Sequence, residues 1–510
     1  MVIFEWIVAL LAGSLVLAAL ARRLTVPYPT LLALGGAALA LIPSVPMIEL
    51  DPALALVLFV SPILLDSGFD TSLRDVKDNW SSIGALVLGA VGITTVAVAV
   101  AAHLLVPGLP WAAAIALGAI VAPPDAAAAT AVLKQVRPPQ RIMTVLEGES
   151  LLNDASALLI YRVAVEAAMG SEHGLGRAIG VSTLGIVGSL VAGPALAWLT
   201  FKVTRHIKDI SSSIIAQFVI TFGVWLLAEH LHLSAVLTVV TYAVYLGRVA
   251  PAIMPARQRI PSFAVWETGV FLLNVLAFVL VGLQLDPILK RLDPSQRGAY
   301  LGIAAVILLV VVGVRFAWVM GYDAVVRLRG DRHNEGCPRP LPPPTTKGGL
   351  VVSWCGMRGI VTLAAAFALP AQFPFRDLLV LCAFAVVLGT LVLQGLTLPT
   401  LLRKLDLQDD DPVAREAREA RLAGYHAALA SIEGDESEAA RALRWQITDE
   451  LSRVERDQHE PSVLDDLRRR AGHAARSAVL DLRDKGIIGD TAFQRVEEEL
   501  DRMEMTTEEH

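Results

Sequence analysis

The amino-acid sequence predicts an all-α, polytopic membrane protein with about thirteen transmembrane helices and a helical tail. Three observations predict this class. Hydrophobic residues make up 55% of the 510 residues and charged residues only 18%, which is too apolar for a soluble chain of this length. The apolar runs recur at close to the ~20 residues that a helix needs to cross a bilayer. From about residue 406 the composition instead becomes dense in charge.

The overall charge and the cysteines exclude several other classes. A net charge of -6 gives no reason to expect a nucleic-acid partner. Cys337, Cys355 and Cys382 are widely spaced and form neither a metal-ligand pattern nor a disulfide framework, so we expect no bound cofactor. Arg22 and Arg23 follow the first apolar run, whereas a secretory signal carries its positive charge in front. We therefore interpret this run as a retained first helix.

The apolar segments give the predicted order of helices. The eighth and ninth are separated only by the short turn 231–233. The thirteen segments lie near 3–21, 28–46, 53–69, 82–105, 111–133, 142–168, 178–201, 212–230, 234–250, 264–285, 299–323, 349–370 and 376–402.

Positive charges in the loops orient this set, because cytoplasmic loops are enriched in Lys and Arg. Every loop after an odd-numbered segment carries at least two such residues. The loops after even-numbered segments hold only Arg177, Arg376 and one exceptional cluster, Lys290, Arg291 and Arg297. This pattern predicts an N-terminus outside and a C-terminal tail in the cytosol.

Two domains follow from the change in composition. Residues 1–405 form the predicted transmembrane domain, and residues 406–510 form a charged, helical, cytosolic tail. Residues 437–457 have helical spacing with a charged face. Both a solvated helix without further function and a regulatory or dimer contact fit this pattern.

The fifth segment places a carboxylate beside a predicted helix break. Asp125 directly follows Pro123 and Pro124, which remove two backbone donors and disfavour regular helix before them. Unwound backbone at membrane depth is tolerated where it surrounds a cavity or an ion. The pattern is typical of a transporter cation site. The alternative is a proline kink with an incidental Asp that bonds to a neighbouring helix.

The sixth segment presents polar residues on two adjoining faces. Ser150 and Asp154 are four residues apart on one face, and Glu149 and Asn153 are four apart on the next. A carboxylate with a hydroxyl suits hard-oxygen coordination of a small cation. The second carboxylate, Glu149, needs a positive partner to stay ionised inside a membrane.

Three arginines in the apolar segments are candidate partners for Glu149. They are Arg315, Arg358 and Arg162, of which Arg162 has a local partner at i+4. Arg358 lies in "SWCGMRGIVTLAAAFALP", where glycines permit close helix approach.

Three further polar residues are less securely assigned. Asp66 belongs to the site or extends its side chain to the nearby interface. Glu147 lies towards the inner entrance and is a candidate for a funnel. Asn274 makes a helix–helix hydrogen bond or acts as a ligand, and we favour the hydrogen bond.

The order of these motifs resembles one family over roughly residues 5–405. "GAIVAPPDAAAATAV", "EGESLLNDASALLIY", "FLLNVLAFVLVGL" and the segment around Arg358 look like the core of the monovalent cation:proton antiporter-1 family, the sodium/proton exchangers. The resemblance implies two inverted six-helix repeats with broken helices that cross mid-membrane, and a core that moves against a dimerisation domain. It also implies a homodimer in the cell inner membrane that acts in pH homeostasis.

Site roles are implied by the same resemblance. Asp154 would bind the ion or the proton, Asp125 and Ser150 would help to coordinate the cation, and Asn153 would support them. Glu149 would pair with Arg358, and Asp66 would reach the ion through water.

The sequence departs from the family pattern at two places. Pro124 precedes Asp125 and Ala126 follows it, where the family often has Thr and Pro, so one hydroxyl ligand is lost. Asp66 replaces a common Glu.

We therefore expect a secondary transporter rather than an enzyme. A single buried carboxylate can hold a proton or a cation, so competition at Asp154 is enough to couple the two flows. The resemblance implies Na⁺ exchange for H⁺, with Asn153 beside Asp154 suggesting an electroneutral cycle. Potassium/proton exchange, a cation channel and an intramembrane aspartyl protease are the alternatives. The protease would use two Asp residues, but the chain contains no Gly-x-Gly-Asp sequence.

Overall fold

The structure, a computed structural model, describes most of the chain. The described residues are 2–24, 26–42, 51–125, 129–130, 133, 138–169, 174–329, 345–405, 407, 412–456, 463–485, 487, 492–493, 495–497 and 499–500. Every regular element among them is a helix, as the sequence predicts. The chain divides into two compact units, Met1–Asp410 and Asp411–His510.

The first unit contains sixteen of the helices labelled below. In chain order they are α1 (Val2–Leu24), α2 (Tyr28–Ala40), α3 (Pro52–Phe69), α4 (Leu73–Asp78), α5 (Trp80–Leu105), α6 (Trp111–Val121), α7 (Gln140–Ala168), α8 (Gly174–Thr204), α9 (Ile210–His230), α10 (Ala235–Ile253), α11 (Ala256–Leu283), α12 (Leu285–Arg291), α13 (Arg297–Arg329), α14 (Thr346–Trp354), α15 (Ile360–Phe367) and α16 (Arg376–Leu405). Helices α3 and α5 each contain one π-helical turn, at Leu56–Val60 and Ala85–Ala90.

Eight helices of the described part are long and apolar enough to cross a membrane. They are Pro52–Phe69, Trp80–Leu105, Thr183–Thr204, Ile210–His230, Ala235–Ile253, Ala256–Arg291, Arg297–Leu328 and Arg376–Leu405. Two shorter apolar helices, α2 and α6, lie in the predicted segments 28–46 and 111–133, parts of which fall outside the described residues. The multi-pass helical class is thus confirmed, and the number thirteen stays a prediction.

The division between the eighth and ninth predicted segments is present in the structure. Helix α9 ends at His230 and α10 begins at Ala235. His232 in the intervening turn adopts a positive φ of 56°. Ser234 then caps α10 by accepting a hydrogen bond from the backbone N–H of Leu237 at 3.4 Å.

The twelfth predicted segment is not one helix. Helix α14 ends at Trp354, α15 begins at Ile360, and residues 355–359 between them are unwound. Gly356 and Gly359 lie in this unwound stretch, so the close approach that they permit is one of unwound backbone rather than of a helix face. Glycine is costly inside a helix and permissive outside one, which accounts for the break at this position.

The helices of the first unit pack in two groups. The crossing bundle comprises α5–α7 and α13–α16, in which α6 contacts α5, α7 and α15, and α13 contacts α5, α14 and α16. The flanking helices comprise α1–α3 and α8–α12, in which α2 packs on α11, and α10 packs on α3 and α8. The α2–α11 contact is close, because a Cβ at Gly36 would collide with the carbonyl of Val279, and one at Gly282 with the carbonyl of Ala33.

The second unit is helical as well. Its described helices are α17 (Pro412–Ser431), α18 (Glu438–Glu455) and α19 (Val463–Asp484). Helices α17 and α18 pack together. Arg418 of α17 donates to the carbonyls of Val454 and Glu455 at 3.0 and 2.7 Å, and so satisfies acceptors at the end of α18.

Candidate functional site

Two unwound stretches meet inside the crossing bundle. The first follows the end of α6 at Val121 and contains Pro123 and Pro124, and the second lies between α14 and α15. The backbone N–H of Asp125 donates to the carbonyl of Met357 at 2.7 Å and joins them. A Cβ at Gly359 would collide with the carboxylate of Asp125, so only glycine fits this crossing as it stands.

Arg358 satisfies the carbonyls that the break leaves free. Its side chain is 1% exposed, and it donates from Nε to the carbonyl of Val121 and from Nη2 to that of Ala122, both at 3.0 Å. It also donates from Nη1 to the carbonyl of Gly356. The C-terminal end of a helix carries partial negative charge, which a guanidinium offsets. Arg358 therefore joins the two breaks.

Glu149 has a different partner from the predicted one. Arg315 of α13 donates from Nη1 and Nη2 to the two carboxylate oxygens of Glu149, at 2.5 and 2.9 Å. Both side chains are buried, with 2% of Arg315 and 1% of Glu149 exposed. The predicted Glu149–Arg358 pair is wrong, because the fork of Arg358 is occupied by carbonyls at the crossing. Such a bidentate pair is the geometry in which a buried carboxylate stays ionised.

Asn153 belongs to the Glu149 side of α7. Its Nδ2 donates to Oε1 of Glu149 at 3.1 Å, and its side chain is fully buried. Its Oδ1 has no hydrogen-bond partner among the described residues. The two faces expected from the helical spacing are both present, and Asn153 lies on the face that carries the ion pair.

The other face of α7 borders a cavity of about 590 Å³. Of the predicted site residues, Asp66, Asp125, Ser150 and Asp154 line it, and Asn153, Glu149 and Arg358 do not. The described lining also holds six carboxylates against one guanidinium, that of Arg22. The six are Asp66, Asp70, Asp125, Glu147, Asp154 and Glu267. The cavity is thus strongly negative and suited to attracting cations.

Asp154 differs from Glu149 because it has no cationic partner among the described residues. It is 7% exposed and makes no hydrogen bond or ion pair within the described part of the chain. A buried carboxylate without a cationic partner is costly unless it is protonated or holds a cation. Asp154 is therefore suited to binding either of these.

Several cavity residues were missed or left open by the sequence. Glu267 of α11 lines the cavity and was not singled out, although an ionisable residue in an apolar segment is itself a signal. Glu147 and Asn274 line it too. No described residue makes the hydrogen bond that was expected for the side chain of Asn274, so that interpretation stays a prediction.

The comparison with known proteins points to one class of transporter. The family model for the transmembrane region of sodium/hydrogen exchangers matches residues 7–404. An uncharacterized Na⁺/H⁺ exchanger of Mycobacterium tuberculosis is 32% identical over 535 residues, covering 98% of this chain and 95% of the relative. An uncharacterized Na⁺/H⁺ exchanger of Escherichia coli is 30% identical over 447 residues, covering 83% of this chain and 79% of that relative.

A solved structure shares the fold. The sodium proton antiporter MjNhaP1 from Methanocaldococcus jannaschii at pH 8 superposes with a TM-score of 0.60 at 19% sequence identity. The match covers 79% of this chain and 98% of that one. At this identity the likeness concerns the helical architecture.

Proposed function

The chain belongs to the sodium/hydrogen exchanger family, and on that premise we propose that it exchanges Na⁺ for H⁺ at Asp154, with Asp125 and Ser150 as further ligands of the cation. It is a multi-pass membrane antiporter, a secondary transporter rather than an enzyme. The family and the two relatives described above are named for sodium, which favours Na⁺ over K⁺ and lends no support to a channel or a protease.

The observation that carries the site assignment is the contrast between the two carboxylates of α7. Glu149 is neutralised by Arg315, whereas Asp154 faces the cavity without an ion-pair partner among the described residues. Asp125 and Ser150 line the same cavity and supply oxygen atoms of the kind that Na⁺ prefers. Asp66 lines the same cavity and would reach the cation through water.

Competition at Asp154 couples the two flows. A proton and Na⁺ each neutralise one carboxylate, whereas both together would leave an uncompensated positive charge in a buried place. The protein therefore changes between its two access states with either a proton or Na⁺ bound at Asp154. Because Glu149 is held by Arg315 and Asn153, it adds no second exchangeable charge on α7, which supports an electroneutral cycle.

Alternating access is the movement that this architecture suits. Asp125, Ser150 and Asp154 belong to the crossing bundle, and the far wall of the cavity belongs to the flanking helices. A displacement of one group against the other would close this cavity and open one on the other side. Asp154, Asp125 and Ser150 would move together, because α6, which ends just before Asp125, packs directly against α7.

The setting in the cell is part of the proposal. The loop charges support an N-terminus outside and a cytosolic C-terminal tail, with residues 1–405 as the exchanger domain and 406–510 as the tail. The family resemblance supports a homodimer in the inner membrane that acts in pH homeostasis. Labelling of single cysteines at the two termini and cross-linking in native membranes test these points.

Proton flux in proteoliposomes tests the function itself. The purified chain is reconstituted with a pH-sensitive dye inside, and outward gradients of Na⁺, Li⁺ or K⁺ are applied in turn at several pH values. We expect Na⁺-driven proton uptake that saturates, and an apparent KM for Na⁺ that rises as the pH falls. No flux with any cation, or flux that does not saturate, would exclude this exchanger mechanism.

A further inference from the structure

One stripe of α11 faces the cavity from the flanking helices. Glu267, Phe271 and Asn274 follow one another at spacings of four and three residues and all line the cavity. This spacing puts them on one face of a helix. Glu267 is exposed and Asn274 is buried, so the stripe runs from the mouth of the cavity to its depth. The distance along the helix is roughly 10 Å, at 1.5 Å a residue.

Asn274 is an unpartnered polar group at the deep end of this stripe. Only 8% of it is exposed, and within the described part of the chain its side chain makes no hydrogen bond. A buried amide without partners is costly, so such groups in native proteins bind water or a ligand. Since Asn274 lines the cavity, water or a cation there can supply this partner. Its carboxamide oxygen is an acceptor of the kind that hard cations bind.

The helix that carries Asn274 forms a stable wall. Gly36 and Gly282 let α2 and α11 approach until backbone meets backbone. Tyr28 of α2 adds an edge-to-face contact with Phe271, at 5.4 Å between ring centroids. Asn274 is therefore fixed relative to the flanking helices, while Asp125 and Asp154 belong to the crossing bundle.

We propose that Asn274 is a specificity-determining contact for the transported cation, one that lies on the stationary side of the site. As the cation moves through the cavity to Asp125 and Asp154, the amide oxygen of Asn274 replaces one water molecule of its hydration shell. Glu267, at the mouth of the cavity, attracts the cation before it enters, and it acts only through long-range electrostatics. This inference rests on the proposed cation exchange and adds a ligand from the opposite group of helices.

Replacing Glu267 and replacing Asn274 should affect the proton flux in different ways. An exposed carboxylate at the mouth acts over a distance, so raising the ionic strength with an impermeant salt screens its effect. A direct oxygen contact in a buried place is screened much less, and it depends on the radius of the cation. Replacing Glu267 should therefore give a salt-dependent defect, whereas replacing Asn274 should give one that persists in salt and differs between Na⁺ and Li⁺.

The experiment measures Na⁺- and Li⁺-driven proton flux for Asn274→Leu, Asn274→Asp and Glu267→Gln at low and high ionic strength. For Asn274→Leu we expect the apparent KM for Na⁺ to rise on the order of tenfold, the usual effect of one contact to a charged group, with the maximal rate within about twofold. Asn274→Asp keeps an oxygen and should retain the wild-type KM or lower it. Val275→Leu, next along the same helix and outside the cavity lining, controls for packing.

An unchanged KM for both cations in Asn274→Leu overturns the proposal, as does an equal rise in Val275→Leu. A defect of Asn274→Leu that disappears in high salt would mean that Asn274 acts by long-range electrostatics rather than by direct contact, and this result also overturns the proposal. If Asn274→Leu does not fold, judged by its melting curve, Asn274→Ala takes its place. Absence of Na⁺-driven flux in the wild type would refute the exchange itself, a result distinct from all of these.

Discussion

Arg315 and Glu149, 166 positions apart in the chain, form a bidentate ion pair inside the crossing bundle. The pair joins α13 to α7, and Nη2 of Arg315 also donates to the carbonyl of Val352 at 3.1 Å, so it reaches α14 as well. Three helices thus meet at one buried guanidinium. The pair also separates the carboxylates of α7 by role, since it neutralises Glu149 and leaves Asp154 facing the cavity.

Removing the guanidinium should destabilise the protein. Arg315→Ala leaves Glu149 buried without a cation, a change that costs about 3 kcal/mol or more in comparable buried pairs. We expect a clearly lower melting temperature in detergent, followed by tryptophan fluorescence. Arg291→Ala, at an exposed residue, is the control.

The same pair allows a double-mutant cycle. In Arg315→Met with Glu149→Leu no charge is left without a partner, so the double variant should be more stable than Arg315→Met alone. If the two single losses simply add, the residues are not coupled and the ion pair does not hold these helices.

Conversion of either site carboxylate to an amide should abolish exchange without unfolding the protein. Asp154→Asn removes the group that binds the proton, and Asp125→Asn removes charge from the cation's shell. Asp154→Asn strands no buried charge, because Asp154 has no ion-pair partner among the described residues, so the melting temperature of this variant should not fall. Proteoliposome flux and melting curves are measured together.

Asp286→Asn serves as the matched control for these variants. The carboxylate of Asp286 does not line the cavity, and it pairs with the exposed Lys290 at an N–O distance of 2.7 Å. It should exchange at the wild-type rate. Full exchange in Asp154→Asn would contradict the assignment of that residue as the binding carboxylate.

The types of residue at the site could be predicted from the sequence, but not all of their pairings. Pro123 and Pro124 mark the first break because their chemistry acts locally. The sorting of Ser150 and Asp154 from Glu149 and Asn153 needs only the helical period. The choice between Arg315 and Arg358 depends on how α7, α13 and the second break are aligned in space, which no spacing within one helix encodes.

Arg358 should be replaceable by lysine only in part. Its fork donates to the carbonyls of Val121 and Ala122 at once, and an ammonium group cannot reproduce this geometry. We expect Arg358→Lys to keep the compensating charge and lower the melting temperature moderately, and Arg358→Ala to lower it further, because it also leaves two buried carbonyls unpaired. Equal melting temperatures for lysine and arginine would mean that charge alone matters at the crossing.

Gly359 tests whether the contact between the two breaks sets the position of Asp125. An added Cβ would collide with the carboxylate of Asp125, so Gly359→Ala must displace either this side chain or the crossing backbone. We expect the apparent KM for Na⁺ to rise strongly or exchange to be lost. Gly302→Ala on α13 is the matched control, since its Cβ would meet no atom within 4 Å, and alanine favours a helix. If Gly359→Ala keeps the wild-type KM, the carboxylate of Asp125 can shift freely, and it cannot be a ligand that the crossing holds in place.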